Sequence, residues 1–124
     1  MTFAASINCI DGRVQLPITA YIKKKYEVDF VDLITIPGCD RVLSSASDEQ
    51  ALAAVRHHVD ISIRKHKSQF VFVSGHDDCA ANPVDMETHI KQIRQAMTLI
   101  DSWDFRVQVV GLWIDDRFQV HEIS

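Results

Sequence analysis

The sequence predicts a three-layer α/β fold with a mostly parallel four-stranded sheet in the order 2-1-3-4 and a C-terminal antiparallel edge strand. Short apolar runs rich in β-branched and aromatic residues alternate with longer segments whose apolar residues recur at helical spacing. Such alternation is typical of parallel strands joined by right-handed helical crossovers. The adjacent Asp115 and Asp116 indicate a turn before a last short strand. The parallel strands are predicted at residues 3–8, 29–36, 70–73 and 105–113, and the edge strand at 118–123.

Three helices are predicted between these strands. The first begins at Pro17, because a first helical turn tolerates a missing N–H. The second begins at Ser47, which forms a capping box with Gln50. The third has Asn82 as its N-cap and Pro83 at its first position. The apolar faces of the three helices are Ile18, Tyr21 and Ile22; Leu52, Val55, Val59 and Ile63; and Met86, Ile90, Ile93, Met97 and Ile100.

The composition indicates one compact domain spanning residues 1–124. The chain has 124 residues, of which 47% are hydrophobic and 24% charged, and this is enough for a substantial core. A net charge of -4, with no basic run beyond residues 23–25, argues against a nucleic-acid surface. No apolar stretch approaches the roughly 20 residues of a membrane helix, and the N-terminus has no signal-peptide pattern. We therefore expect a cytoplasmic protein that does not contact membranes.

Residues suited to metal binding follow two of the predicted strands. Cys9 follows the first strand, whereas His76 and Cys79 follow the third. Taken alone, a His and a Cys three residues apart more often belong to a turn with a buried cysteine than to a metal site. In a sheet of order 2-1-3-4, however, the first and third strands flank the switch point, where ligands bind at the carboxyl ends. An odd count of three cysteines also argues against a disulfide framework, so the pattern predicts a zinc site with these three ligands.

Asp11 and Arg13 lie close to the first candidate ligand. A three-ligand zinc site leaves one tetrahedral position open for water, which is typical of catalytic rather than structural sites. Asp11 could accept a hydrogen bond from that water, and Arg13 could hold the carboxylate in place through a fork of donors. The alternative is a plain surface ion pair at a turn. We predict that Asp11 and Arg13 form the catalytic pair.

These residues resemble the zinc-site signature of the β-class carbonic anhydrases. The motif Cys9-x-Asp11-x-Arg13, followed later by His76-x-x-Cys79, is similar to that family's two-part pattern, with each part after a predicted strand. The resemblance also covers residues 36–42 and 111–115. It implies a β-carbonic anhydrase-like fold, a Zn²⁺ cofactor, and reversible hydration of carbon dioxide to bicarbonate by a zinc-bound hydroxide. It further implies a homodimer or higher homo-oligomer, and a second state in which Asp11 swings onto zinc.

Some features differ from that family. Gly12 stands where Ser is usual, Ala80 where Gly is usual, and Pro37-Gly38 where Asn-Ala is common. Three hypotheses follow. The preferred one is a carbon dioxide hydratase. The alternatives are a zinc protein that is non-catalytic or hydrolyses carbonyl sulfide or carbon disulfide, and a metal-free thiol redox site built from the three cysteines.

The remaining cysteine and histidines are not assigned to the site. Cys39 is expected to be a small buried residue. Asp77 and Asp78 could orient the turn between the two ligands that they separate. The histidines outside the motif are expected to be solvated or packed away from the strand ends, and none is assigned as a proton shuttle. They are His57, His58, His66, His89 and His121.

Overall fold

A five-stranded mixed sheet forms the centre of the molecule, and the computed structural model describes residues 1–124. The order is β2-β1-β3-β4-β5, with four parallel strands and β5 antiparallel to β4. The predicted fold class and strand order are therefore confirmed. The strands are β1 (Phe3–Asn8), β2 (Phe30–Thr35), β3 (Phe70–His76), β4 (Gln108–Ile114) and β5 (Val120–Ile123).

Four helices cover the two faces of this sheet. One face carries α1 alone, and its Val14, Ile18 and Ile22 pack with Phe72 and Leu112. The other face carries α2, α3 and α4, whose buried side chains pack against the opposite-facing residues of β1 and β3. The alternation of side chains along the central strands thus supplies two separate apolar clusters, one in each interlayer space. The helices are α1 (Gly12–Tyr26), α2 (Cys39–Ser45), α3 (Glu49–His66) and α4 (Met86–Ser102).

The predicted start of α1 at Pro17 is wrong. The helix begins five residues earlier, at Gly12, because the Asp11 side chain accepts a hydrogen bond from the Arg13 amide and caps it. Pro17 consequently lies inside the helix, where its ring removes one intrahelical donor. The cap places Asp11 and Arg13 at the edge of the sheet where β1 ends.

The predicted caps of α3 and α4 are also wrong, and in both cases an aspartate takes the position. Asp48, not Ser47, accepts from the Ala51 amide at 3.0 Å. Asp85, not Asn82, accepts from the Thr88 amide at 2.8 Å. The short helix α2 was not predicted, since seven residues are too few to show a helical period.

Two strands begin later than predicted because the backbone turns before them. Arg106 has φ of 61° and Phe118 has φ of 60°, both in the left-handed region, so neither can continue an extended strand. The predicted strand starts at 105 and 118 therefore move to Gln108 and Val120. In contrast, β3 extends beyond its predicted end at Val73, so His76 is the last residue of the strand itself.

Candidate metal centre

The three predicted metal ligands lie together at the carboxyl edge of the sheet. Cys9 directly follows β1, His76 closes the neighbouring β3, and Cys79 lies in the turn that follows. Their ligand atoms all lie within 4.8 Å of one another, and all three residues are buried. The parallel pairing of β1 with β3 brings these distant parts of the sequence together.

The two thiols have the spacing that a tetrahedral metal requires. The distance from Cys9 Sγ to Cys79 Sγ is 3.9 Å. Two sulfur ligands bound to one tetrahedral zinc at about 2.3 Å lie roughly 3.8 Å apart. The backbone N–H of Gly38 also donates to Cys9 Sγ at 3.5 Å.

The imidazole of His76 has one ring nitrogen, Nε2, that is free to bind a metal beside the two thiols. Its Nδ1 lies 2.8 Å from the carbonyl oxygen of Asp77, which can only accept, so Nδ1 carries the hydrogen. In the neutral ring Nε2 is then an acceptor, and this atom is buried with no hydrogen-bond partner. A tautomer fixed by a carbonyl, with the other nitrogen unpartnered, is the usual arrangement of a metal-binding histidine.

The Cys79 thiol is poorly placed to ionise without a cation. Burial, together with the adjacent Cys9 thiol, raises the pKa of Cys79 to about 11. A metal cation would supply the positive charge that reverses this shift. Two sulfurs and one imidazole nitrogen suit a borderline-soft cation such as Zn²⁺ better than Mg²⁺ or Ca²⁺. The donor set, its spacing and the unpartnered His76 Nε2 therefore fit zinc.

Asp11 lies beside the metal-binding group and is gripped by Arg13. The Arg13 guanidinium donates from Nη2 to Asp11 Oδ2 at 2.7 Å and from Nε to Oδ1 at 3.0 Å. These bonds lower the pKa of Asp11 to about 2. Asp11 Oδ2 lies 4.0 Å from His76 Nε2. An ionised carboxylate is thus held next to the donor atoms.

Arg13 also connects the two segments that carry the candidate ligands. Besides Asp11, its guanidinium reaches the backbone oxygen of Asp78 at 3.1 Å and the Asp78 carboxylate at 3.3 Å. Asp78 has φ of 55°, which turns the chain sharply between His76 and Cys79. Asp78 therefore orients the turn, whereas the Asp77 carboxylate makes no hydrogen bond.

Cys39 is buried but is not one of the three grouped donors. Its thiol donates to the carbonyl oxygen of Ser74 at 3.0 Å, and burial raises its pKa well above the usual range. It therefore behaves as a neutral packed side chain beside the site.

The prediction that His89 lies away from the strand ends is wrong. Its Nδ1 comes within 3.2 Å of the position of a Cβ built on Gly75, the residue before His76. It is hydrogen-bonded to Asp40, another buried residue that the sequence did not single out. A charged residue directly after the Pro37-Gly38-Cys39 segment was the available signal for Asp40, but nothing in the sequence linked it to His89.

The fold and this donor group define an α/β protein with a candidate metal centre at the carboxyl edge of its sheet. A family model described as "Putative carbonic anhydrase" matches residues 1–124, and the chain belongs to this carbonic anhydrase family. No curated protein sequence matches the chain significantly. None of its helices is both long enough and apolar enough to cross a membrane.

Solved β-carbonic anhydrases share the fold. The β-carbonic anhydrase isoform I of Trichomonas vaginalis aligns with a TM-score of 0.58 at 17% identity, over 96% of this chain and 81% of that chain. A β-carbonic anhydrase of Sordaria macrospora, described as tetrameric, aligns with a TM-score of 0.51 at 12% identity, over 98% and 80%. At these identities the similarity concerns the fold.

Proposed function

We propose that this protein is a zinc enzyme that interconverts carbon dioxide and bicarbonate. The observation that carries the proposal is the buried group of Cys9, His76 and Cys79, whose donor atoms lie within 4.8 Å of one another beside an ionised Asp11. Membership of a carbonic anhydrase family and the β-carbonic anhydrase fold support it.

Cys9, His76 and Cys79 would hold the metal, and three protein donors are the number typical of catalytic rather than structural zinc sites. Bound zinc supplies a Lewis acid that lowers the pKa of water from its bulk value to about 7. The protein ligands contribute by keeping the donors close together and buried before the metal arrives.

Asp11 and Arg13 would orient the attacking water. Because Arg13 keeps the pKa of Asp11 near 2, the carboxylate is ionised at neutral pH and can only accept a hydrogen bond. Accepting from the water fixes the direction of the remaining lone pair toward carbon dioxide. The two guanidinium bonds hold the carboxylate, so its orientation is set before substrate enters.

The proposed partners are a small-molecule substrate and further copies of this chain. The substrate is a small molecule, and the net charge of -4 favours neither nucleic acid nor an anionic membrane surface. We propose a homodimer or higher homo-oligomer in the cytoplasm.

The test combines metal analysis with kinetics on a single preparation. Zinc per chain is determined first, and carbon dioxide hydration is then followed by stopped flow from about pH 6.5 to 9. We expect near-stoichiometric zinc and turnover that rises with pH as bound water ionises.

Other outcomes would replace the proposal. Stoichiometric zinc without carbon dioxide turnover would favour a non-catalytic protein, or a hydrolase if carbonyl sulfide or carbon disulfide is consumed. Failure to retain zinc, together with a Cys9–Cys79 disulfide on oxidation, would favour the thiol redox site.

A further inference from the structure

A buried polar network lies directly behind the candidate metal centre. Asp40 on α2 and His89 on α4 are each 1% exposed, and His89 Nδ1 donates to Asp40 Oδ2 at 2.6 Å. Asn82, which precedes α4, donates from Nδ2 to Asp40 Oδ1 at 2.9 Å and to Gln92 at 2.7 Å. The network thus joins two helices and the loop after Cys79.

This network touches both ends of the turn that carries His76 and Cys79. A Cβ built on Gly75, the residue before His76, would lie 2.5 Å from Asp40 Oδ2. At the other end, the backbone N–H of Asn82 donates to the carbonyl oxygen of Cys79 at 3.2 Å. The two candidate ligands therefore lie between two contacts of a single buried cluster.

The segment that carries Asp40 also contacts the third candidate ligand. Gly38 donates its N–H to Cys9 Sγ at 3.5 Å. It also packs closely on the loop after Cys79, since an added Cβ would lie 3.1 Å from the Ala81 carbonyl oxygen. Residues 38–40 thus bridge the β1 end and the β3 end of the site.

The Asp40–His89 network is better explained by a role in positioning the turn than by a contribution to the free energy of folding. His89 Nε2 and Asn82 Oδ1 are buried without a hydrogen-bond partner, and each such atom opposes folding. A buried polar pair can often be replaced by apolar side chains of similar volume without loss of stability. What apolar side chains could not supply is a directional bond that fixes α4 and its preceding loop relative to α2.

We propose that Asp40 and His89 are positioning residues that hold the His76–Cys79 turn at metal-binding distance from Cys9. The inference rests on the proposed zinc site, and it concerns residues that would not touch the metal. Outer partners of this kind commonly change metal affinity by about 10–100-fold when they are removed.

Two substitutions of His89 separate hydrogen bonding from packing. His89→Asn places an amide nitrogen at the same number of bonds from the backbone as Nδ1, so it can still donate to Asp40. His89→Leu fills more of the space but cannot donate. Positioning predicts that His89→Leu loses about 10-fold or more in affinity while His89→Asn remains closer to the unsubstituted protein. Packing alone predicts the reverse order.

The affinity is measured on the full chain by competition with a chelator, using Zn²⁺ and then Co²⁺. Cobalt adds a readout independent of activity, because thiolate ligation gives charge-transfer absorption whose intensity depends on ligand geometry. We expect altered cobalt absorption in His89→Leu and a nearly unchanged spectrum in His89→Asn. Asp40→Asn, which is nearly isosteric, should show an intermediate loss and keeps the test valid if His89→Leu does not fold.

Asp32→Asn is the matched control. Asp32 also pairs with a histidine, His66 Nδ1, at 2.7 Å, and His66 stacks on Phe3 at the start of β1, away from the site. We expect Asp32→Asn to change the free energy of unfolding but not the metal affinity. Equal affinities and cobalt spectra for His89→Leu and His89→Asn would overturn the proposal, as would affinity losses that follow overall stability in all variants. If the unsubstituted protein shows no thiolate–cobalt absorption, the zinc site itself fails instead.

Discussion

Asp11 makes two kinds of contact that a single substitution can separate. Its Oδ1 accepts from the backbone N–H of Arg13 at 2.9 Å and so caps α1. Its carboxylate charge is held by the Arg13 guanidinium beside the metal-binding group. Capping requires only an oxygen acceptor, whereas orienting an attacking water without donating a proton requires the ionised carboxylate.

We expect Asp11→Asn to retain zinc and lose most of its turnover. Asparagine is as good an N-cap as aspartate, so α1 should keep its start and the fold its stability. The lost acceptor should lower kcat by about 100-fold or more, in the range of removed acid–base groups. The measurement is stopped-flow hydration at fixed zinc content. Full activity of Asp11→Asn would disprove the orienting role.

Cys79→Ser provides the complementary control at the same site. The change removes one soft donor from a buried group of three, so zinc should be lost together with turnover. Loss of activity with bound zinc in Asp11→Asn, and loss of both in Cys79→Ser, would distinguish the two roles.

Single residues also show where sequence reasoning stops. The grouping of Cys9, His76 and Cys79 followed from strand order, because the ends of adjacent parallel strands meet. The bond between Asp40 and His89 could not be predicted in this way. It depends on how α2 and α4 pack against each other, and no period or spacing encodes that.

At the level of elements, the end of β3 depends on a residue without a side chain. Gly75 packs directly against the Asp40 carboxylate, and a Cβ there would lie 2.5 Å from Oδ2. Because Asp40 is itself fixed by His89, Asn82 and the Arg41 amide, it has little freedom to move away. A side chain at position 75 would therefore force the Asp40 carboxylate or the end of β3 to shift.

We expect Gly75→Ala to destabilise the protein by about 1–3 kcal/mol, the usual cost of overpacking a core. It should also weaken zinc binding, because His76 is the next residue. Gly12→Ala is the matched control, since nothing lies within 4 Å of its added Cβ at the start of α1. That change should be neutral or stabilise by up to about 1 kcal/mol. Urea unfolding measures both, and equal midpoints for the two variants would contradict the steric argument.

The number and type of the helices and strands could be predicted from the sequence better than the residues at which they begin and end. Alternating runs of β-branched and helical-period residues indicated all five strands and three of the four helices. The start of a helix instead depends on which nearby polar side chain accepts hydrogen bonds from the unpaired backbone N–H groups of its first turn. The three starts concerned are Gly12, Glu49 and Met86. In each of these helices an aspartate is the N-cap, although Ser47 and Asn82 also have side chains suitable for capping.

At the scale of the whole molecule, the edge strand β5 is held against helix α1 by side-chain contacts. Glu122 on β5 accepts from Tyr21 at 2.6 Å and from Tyr26 at 3.0 Å, and it pairs with Lys25. The Tyr26 ring packs edge-on against Phe70 and Phe72, so the cluster connects the last strand to the core. This contact spans nearly the full length of the sequence, and no local pattern could have predicted it.

The docking of β5 predicts a loss of stability at alkaline pH. Burial, together with the Glu122 carboxylate, raises the pKa of Tyr26 to about 12, against about 10 in an unfolded chain. The folded state therefore holds this proton more tightly, so its contribution is complete below about pH 10 and is lost as pH rises toward about 12. Urea midpoints of the unsubstituted protein should fall more steeply over that interval than those of Tyr26→Phe, which has no phenol to ionise. Glu122→Gln removes the negative charge that opposes ionisation and so lowers the folded pKa of Tyr26, and its decline should therefore be smaller and level off nearer pH 10. If the urea midpoints of the unsubstituted protein and Tyr26→Phe fell equally with pH, the Tyr26 phenol would not contribute to holding β5 against α1.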